Sequence, residues 1–127
     1  MILLDSQAVL WLLDGNPLLG PEARRRIHAA RVAYFSAASV WELTIKAMLG
    51  ELVLPVPLSS AAHDSGLTEL PATAVHAEAV AAFPELVRHD PFDRLLMAQA
   101  SLEGLDLLTA DRVLLATGRP FVVDARA

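Results

Sequence analysis

Four carboxylates in this 127-residue chain each stand where an apolar run is interrupted: Asp5, Glu42, Asp93 and Asp111. Asp5 ends Met1-Ile2-Leu3-Leu4, and Asp111 follows Leu107-Leu108-Thr109-Ala110. Glu42 lies within Ala38-Ser39-Val40-Trp41-Glu42-Leu43, and Asp93 opens Asp93-Arg94-Leu95-Leu96-Met97-Ala98. Acidic groups set against core-forming residues are costly unless something compensates them. If the fold gathers the four, the expected compensation is a divalent cation. Clustered carboxylates repel, so an empty cluster is expected to keep some members protonated. Mg2+ or Mn2+ removes that penalty, because hard cations take oxygen ligands and keep several waters. A cation so held lowers the pKa of a water, orients a phosphate oxygen and stabilises a leaving oxygen, chemistry that suits phosphodiester hydrolysis.

Each acidic residue also has a plainer reading. Asp111 can serve as a helix N-cap. Glu42 and Lys46 form an i, i+4 pair in the favourable order, and Asp93 can simply favour the positive end of its helix. Asp5 is the hardest to explain structurally, since it directly follows a buried first strand. Ser39, Glu42 and Lys46, spaced i, i+3, i+7, make one narrow polar stripe on an otherwise apolar helix. Asp90, three residues before Asp93, reads better as a helix cap than as a fifth ligand. Arg94 has two readings, a contact to phosphate, partner or carboxylate and a structural ion pair. Arg24, Arg25, Arg26 and Arg31 read as a solvated face, and Trp11 and Trp41 as core or dimer-interface residues. The four histidines show no ligand spacing, which argues against zinc. No Gly-rich phosphate loop and no Gly-x-Ser-x-Gly elbow is present.

The elements that would position these groups alternate between strand and helix. Residues 1–4 suit a strand buried on both faces, with Ser6 as N-cap of a helix through Leu13 that ends at Asp14-Gly15-Asn16-Pro17. A helix is expected over 21–30 with Pro in its first turn, then a strand over 32–36. A helix from Ser36 or Ala37 ends near Gly50, its C′ glycine, and Pro55-Val56-Pro57 marks a loop. A short helix to Ser65, a strand over 67–70 and a helix from Thr73 to about Phe83 follow. Pro91 opens an apolar helix to Glu103-Gly104. Residues 106–109 form a strand, Asp111 caps a helix to Ala116, and 121–123 form the last strand. The alternation implies βαβ units in a three-layer α/β/α domain with a central parallel sheet, one domain over 1–127. Ligands of such sheets bind beyond the carboxyl ends of the strands, where Asp5 and Asp111 fall.

Composition sets the outer bounds. A hydrophobic fraction of 54% gives an ordered core, and the absence of cysteine excludes thiolate catalysis and Cys-ligated metal. A net charge of −5 argues against broad electrostatic binding of nucleic acid, though not against a local basic patch. No apolar run has membrane-spanning length and the start lacks a signal peptide's basic region, so a soluble cytoplasmic protein is expected, with part of its apolar surface covered by a partner.

The same residues carry a family resemblance. Leu3-Leu4-Asp5-Ser6-Gln7-Ala8-Val9-Leu10-Trp11, the segment from Ser36 through Trp41-Glu42 and Lys46 to Gly50, His89-Asp90-Pro91-Phe92-Asp93-Arg94-Leu95-Leu96-Met97-Ala98-Gln99-Ala100, and Leu108-Thr109-Ala110-Asp111-Arg112 resemble, in order, PIN-domain ribonucleases of the VapC toxin type. The resemblance implies a metal-dependent endoribonuclease, usually dimeric, made with a cognate antitoxin that blocks it. It implies Asp5, Glu42, Asp93 and Asp111 around one or two Mg2+ or Mn2+ ions, and in-line attack of water leaving a 5′-phosphate and a 3′-hydroxyl. The implied substrates are tRNA or ribosomal RNA. Ser6, Asp90, Lys46 and Arg94 form the supporting set. Where the family commonly has Asp-Thr-His, this chain has Asp5-Ser6-Gln7: the hydroxyl is kept, and the histidine is replaced by a side chain that does not titrate.

Two other readings stand beside it. One is a receiver-like signalling domain with Asp5 in an acidic Mg2+ pocket, which would be expected to carry a lysine in its last third that this chain lacks. The other is a non-catalytic PIN-like module that binds a partner protein, against which the intact acidic quartet argues.

Overall fold

The computed structural model describes residues 1–55 and 57–127. Val56, within the loop expected at Pro55-Val56-Pro57, lies outside the described residues. Five short strands, β1 (Ile2–Leu4), β2 (Ala33–Ser36), β3 (Thr68–Leu70), β4 (Asp106–Thr109) and β5 (Val122–Asp124), form one sheet in the order β3-β2-β1-β4-β5. Every pairing is parallel, with Ile2 set opposite both Ala33 and Asp106. A purely parallel sheet needs both faces covered, and all of β1 is buried.

The alternation of side chains along the strands divides the core in two. Ile2, Leu4, Phe35 and Leu108 pack on one face with Ala8, Val9, Trp11, Ala23 and Ala62. These come from α1 (Ser6–Leu13), α2 (Pro21–Ala29) and α4 (Leu58–Asp64). Leu3 and Leu107 point to the other face, against Leu96, Met97, Ala100 and Leu114 of α6 (Pro91–Glu103) and α7 (Arg112–Ala116). The remaining helices are α3 (Ala37–Met48) and α5 (Ala74–Ala79). The result is the expected three-layer α/β/α arrangement around a parallel sheet. Its strand order also excludes the receiver-like alternative, whose sheet runs 2-1-3-4-5.

Local details depart from expectation in informative ways. Ser6 is not the N-cap of α1. The chain is still extended at Asp5, whose Oδ1 accepts the Ala8 N–H at 2.8 Å, so Asp5 is the cap and Ser6 is the first helical residue. The helix expected from Thr73 to Phe83 is shorter. Thr73 does cap it, in a reciprocal capping box with His76, but α5 ends at Ala79. Two 3-10 turns, Val80–Ala82 and Pro84–Leu86, follow. Pro84 cannot donate to a continuing helix and disfavours a helical conformation at Phe83, which lies at φ −121°, ψ 66°. Trp11 is core, whereas Trp41 is 62% exposed and meets Phe92 edge-on at 5.0 Å between ring centroids. Gly50 has φ +77° after the Leu49 C-cap, as a C′ glycine requires. The arginine run is engaged structurally: Arg24 donates to the carbonyls of Leu19 and Asn16, and Arg25 pairs with Glu22.

Candidate active site

Strand order sets the position of the site. From β1 the sheet grows one way through β2 to β3 and the other way through β4 to β5, so the order reverses between β1 and β4. A crevice opens at such a switch point beyond the carboxyl ends of the strands. Asp5 follows β1 and Asp111 lies two residues past β4. Glu42 comes from the second turn of α3 and Asp93 from the first turn of α6. A cleft of about 460 Å³ at this edge is lined by all four, together with Ser6, Gln7, Lys46, His89, Asp90 and Arg126. Residues spread over most of the sequence thus reach one concave surface.

The carboxylates are held as much as displayed. Asp5 Oδ1 caps α1, while Oδ2 accepts the Thr109 hydroxyl at 2.5 Å. Glu42 Oε1 accepts the Ser6 hydroxyl at 2.5 Å, and Ser6 Oγ lies 2.9 Å from Ser39 Oγ. Glu42 Oε2 faces Lys46 Nζ at 3.4 Å. Asp111 Oδ1 caps α7 through the N–H groups of Val113 and Leu114, which leaves Oδ2 turned toward His89 at 3.5 Å. Capping and pocket-facing, alternatives for Asp111 in the sequence, are therefore divided between its two oxygens. Asp90 caps α6, accepting the Phe92 and Asp93 N–H groups, which aims the Asp93 side chain into the cleft beside His89.

Electrostatics follow from this packing. Asp5 is almost completely buried, and desolvation pushes its pKa up to about 6 against the hydrogen bonds from Thr109 and Ala8, with Glu42 and Asp111 adding repulsion. Asp93 rises to about 7, chiefly through desolvation and then the charges of Asp111, Asp90, Asp5 and Glu42. Near neutral pH the cluster therefore resists holding its full negative charge. An oxygen-rich donor set with charge in excess is of the kind a hard divalent cation takes.

Arg94 makes no ion pair among the described residues, and its Nε is buried without a hydrogen-bond partner, so the structural ion pair open to it in the sequence is absent there. Three site residues, His89, Thr109 and Arg126, have no local signature as such in the sequence. Contrary to the absence of ligand spacing expected of the histidines, His89 has such a spacing. It stands i, i+4 from Asp93, and its Nε2, Asp93 and Asp111 each present a ligand atom within 4.8 Å of the others. The spacing was in the sequence, but the turn that brings His89 over the helix start was not. Thr109, fully buried at the end of β4, looked like an ordinary strand residue.

A three-layer α/β domain with an acidic cleft at the switch point of a five-stranded parallel sheet is the class that fold and site define. The chain belongs to the PIN-domain family, whose family model matches residues 2–120. Among solved structures it is similar to a toxin–antitoxin complex from Klebsiella pneumoniae, at TM-score 0.68 and 19% identity, covering 98% of this chain and 98% of that one. It is also similar to VapBC2 from Rickettsia felis bound to a DNA fragment from its promoter, at TM-score 0.66 and 15% identity over 98% and 97% of the two chains. A third is VapC20 from Mycobacterium tuberculosis, a toxin that cleaves the sarcin-ricin loop, at TM-score 0.59 and 18% identity over 96% and 98%. At these identities the likeness is one of fold. No curated protein matches the chain by sequence.

Proposed function

We propose that this protein is a Mg2+- or Mn2+-dependent endoribonuclease, the toxin of a VapC-type toxin–antitoxin pair. The observation that carries the reading is the convergence of Asp5, Glu42, Asp93 and Asp111, from four separate elements, on one cleft at the sheet's switch point. The fold it shares with proteins solved as toxin–antitoxin complexes, and with a toxin that cleaves the sarcin-ricin loop, supports the choice of substrate class and of an antitoxin partner.

The chain's own groups divide the work. Asp5, Glu42, Asp93 and Asp111 provide the negative charge and oxygen donors that hold the cation. A bound cation supplies a lowered water pKa, an anchor for a phosphate oxygen and offset of the leaving oxygen's charge. Ser6 and Thr109 orient Glu42 and Asp5 through short hydrogen bonds. Lys46, beside Glu42, and Arg126 line the cleft, and their charge suits a phosphate backbone. The substrate class is tRNA or ribosomal RNA, the products a 5′-phosphate and a 3′-hydroxyl, and the working form a homodimer in the cytoplasm that a cognate antitoxin silences. No helix among the described residues is long and apolar enough to cross a membrane.

The test is incubation of the purified protein with separated tRNA and ribosomal RNA in Mg2+, Mn2+ or EDTA, with Asp5→Asn and Asp93→Asn as controls. Cleavage that needs metal and both aspartates supports the reading; cleavage indifferent to EDTA and to both substitutions overturns it.

A further inference from the structure

We propose that His89 is a nitrogen ligand of the cation site, which makes the site select Mn2+ over Mg2+. This rests on the metal-site reading above and adds a donor of a different chemical kind to the four carboxylates.

The placement of His89 is built. Its backbone N–H donates to the Leu86 carbonyl at 2.9 Å, so the turn before α6 fixes where the side chain leaves the chain. His89 lies i, i+4 from Asp93, with Nε2 3.1 Å from Asp93 Oδ2 and 3.5 Å from Asp111 Oδ2. The side chain is 20% exposed, at the mouth of the cleft. A six-coordinate ion bound at about 2.0–2.2 Å keeps adjacent donor atoms about 3 Å apart. His89 Nε2 stands at about that spacing from Asp93 Oδ2 and slightly farther from Asp111 Oδ2, and one ligand atom from each of the three residues lies within 4.8 Å of the others.

The contrast with His76 sharpens the assignment. His76 is buried, accepts the Thr73 N–H at Nδ1 and places Nε2 2.8 Å from Glu103 Oε1. Both its nitrogens are engaged far from the acidic cleft, so it is structural. His89 instead directs Nε2 at two carboxylates of the cleft, Asp93 and Asp111, that are themselves candidate ligands.

The consequence is selectivity. Mg2+ prefers oxygen donors and dehydrates reluctantly, whereas imidazole nitrogen suits later divalent metals, Mn2+ binding less tightly than Fe2+ or Co2+ in the usual order. A site of carboxylates plus one imidazole therefore ranks Mn2+, which accepts a nitrogen donor, above Mg2+. The carboxylates on either side of the ring keep the site too hard for a thiophilic ion.

Pulsed electron paramagnetic resonance on the full chain loaded with Mn2+ reads this directly. The wild type is expected to show a nitrogen hyperfine coupling that His89→Gln abolishes. The same variant should bind Mn2+ about tenfold or more weakly, with a smaller change for Mg2+. Circular dichroism confirms that the variant is folded, and His89→Asn serves as a second probe if it is not. Absence of the nitrogen coupling in the wild type overturns the proposal. So does unchanged or tighter Mn2+ binding by His89→Gln, since an imidazole that merely balances the carboxylates would compete with the ion. Mn2+ binding that survives Asp93→Asn would instead remove the metal-site reading itself, so the two failures are distinct.

Discussion

The Thr109 hydroxyl donates to Asp5 Oδ2 at 2.5 Å, a bond between residues 104 positions apart that ties the ends of β1 and β4 together. Thr109 Oγ1 in turn accepts the Asp111 N–H at 3.0 Å, so one side chain sets the geometry of two acidic residues at the switch point. The bond to Asp5 also opposes the desolvation that drives the Asp5 pKa upward.

Removing that hydroxyl should therefore act through Asp5. Thr109→Val keeps the volume, leaves the buried Asp5 carboxyl short of a donor and raises its pKa above about 6. The expected result at neutral pH is divalent-cation affinity about tenfold lower, with a stability loss of about 1–3 kcal/mol. Thr109→Ser should restore affinity. Titration calorimetry of the three proteins decides; equal affinities would show that the hydroxyl does not act on Asp5.

The raised carboxyl pKa values make an unusual demand on stability. For Asp5 and Asp93 the native state holds a proton more tightly than the unfolded chain between the ordinary aspartate pKa and about 6 to 7. Their contribution is present at low pH and lost as pH rises through that window. Asp5 alone, from 3.8 to about 6, corresponds to about 3 kcal/mol. In EDTA, the melting temperature should rise as pH falls from about 7.5 to about 5. Saturating Mn2+ should reverse the slope, because protons then compete with a stabilising ligand. A metal-free melting temperature that falls over the same range would contradict the burial and repulsion assigned to this pair.

Neutral replacements should separate stability from activity. Asp93→Asn removes a charge that the cleft disfavours, so without metal at pH 7.5 it should be more stable than the wild type by about 1 kcal/mol or more. Its RNA cleavage should drop on the order of a hundredfold or more. Denaturant unfolding and single-turnover cleavage measure the two effects; a destabilised variant would mean that the His89 contact and the helix start outweigh the desolvation and repulsion at Asp93.

A prediction away from the cleft concerns Gln99, fully buried on α6. Its Oε1 accepts the Ser36 hydroxyl at 2.6 Å and its amide donates to the Pro71 carbonyl at 3.3 Å, joining the start of α3 to α6 and to the segment after β3. Gln99→Ala leaves Ser36 and Pro71 without that partner and opens a cavity, for an expected loss of about 2–4 kcal/mol in urea unfolding. A loss below about 1 kcal/mol would mean the network is dispensable.

The parts that were legible in the sequence are those with a local cause. The continuous apolar runs of β1 and β4, Pro91 after the Asp90 cap, and glycines at helix ends each write their conformation into a few neighbouring residues. Asp5, Glu42, Asp93 and Asp111 stood out because charge against an apolar run is costly wherever the run goes. Ser6 was misplaced by one residue because Asp5 and Ser6 are both good N-caps, and only the end of β1 chooses between them. The position of His89 depends on the 3-10 turns around Pro84, and the role of Thr109 on pairing between strands at opposite ends of the chain. Neither has a local signature.

The chemistry of the cut ends tests the account most directly. Hydrolysis by a water held at the acidic cleft leaves a 5′-phosphate and a 3′-hydroxyl, whereas attack by the RNA's own 2′-hydroxyl leaves a 2′,3′-cyclic phosphate and a 5′-hydroxyl. End-group analysis of RNA cut by the purified protein in Mn2+ should therefore yield fragments that ligate through a 5′-phosphate without prior phosphorylation, and none in EDTA. Cyclic-phosphate ends, or the same fragments in EDTA, would contradict a cation-dependent hydrolytic site built from Asp5, Glu42, Asp93 and Asp111.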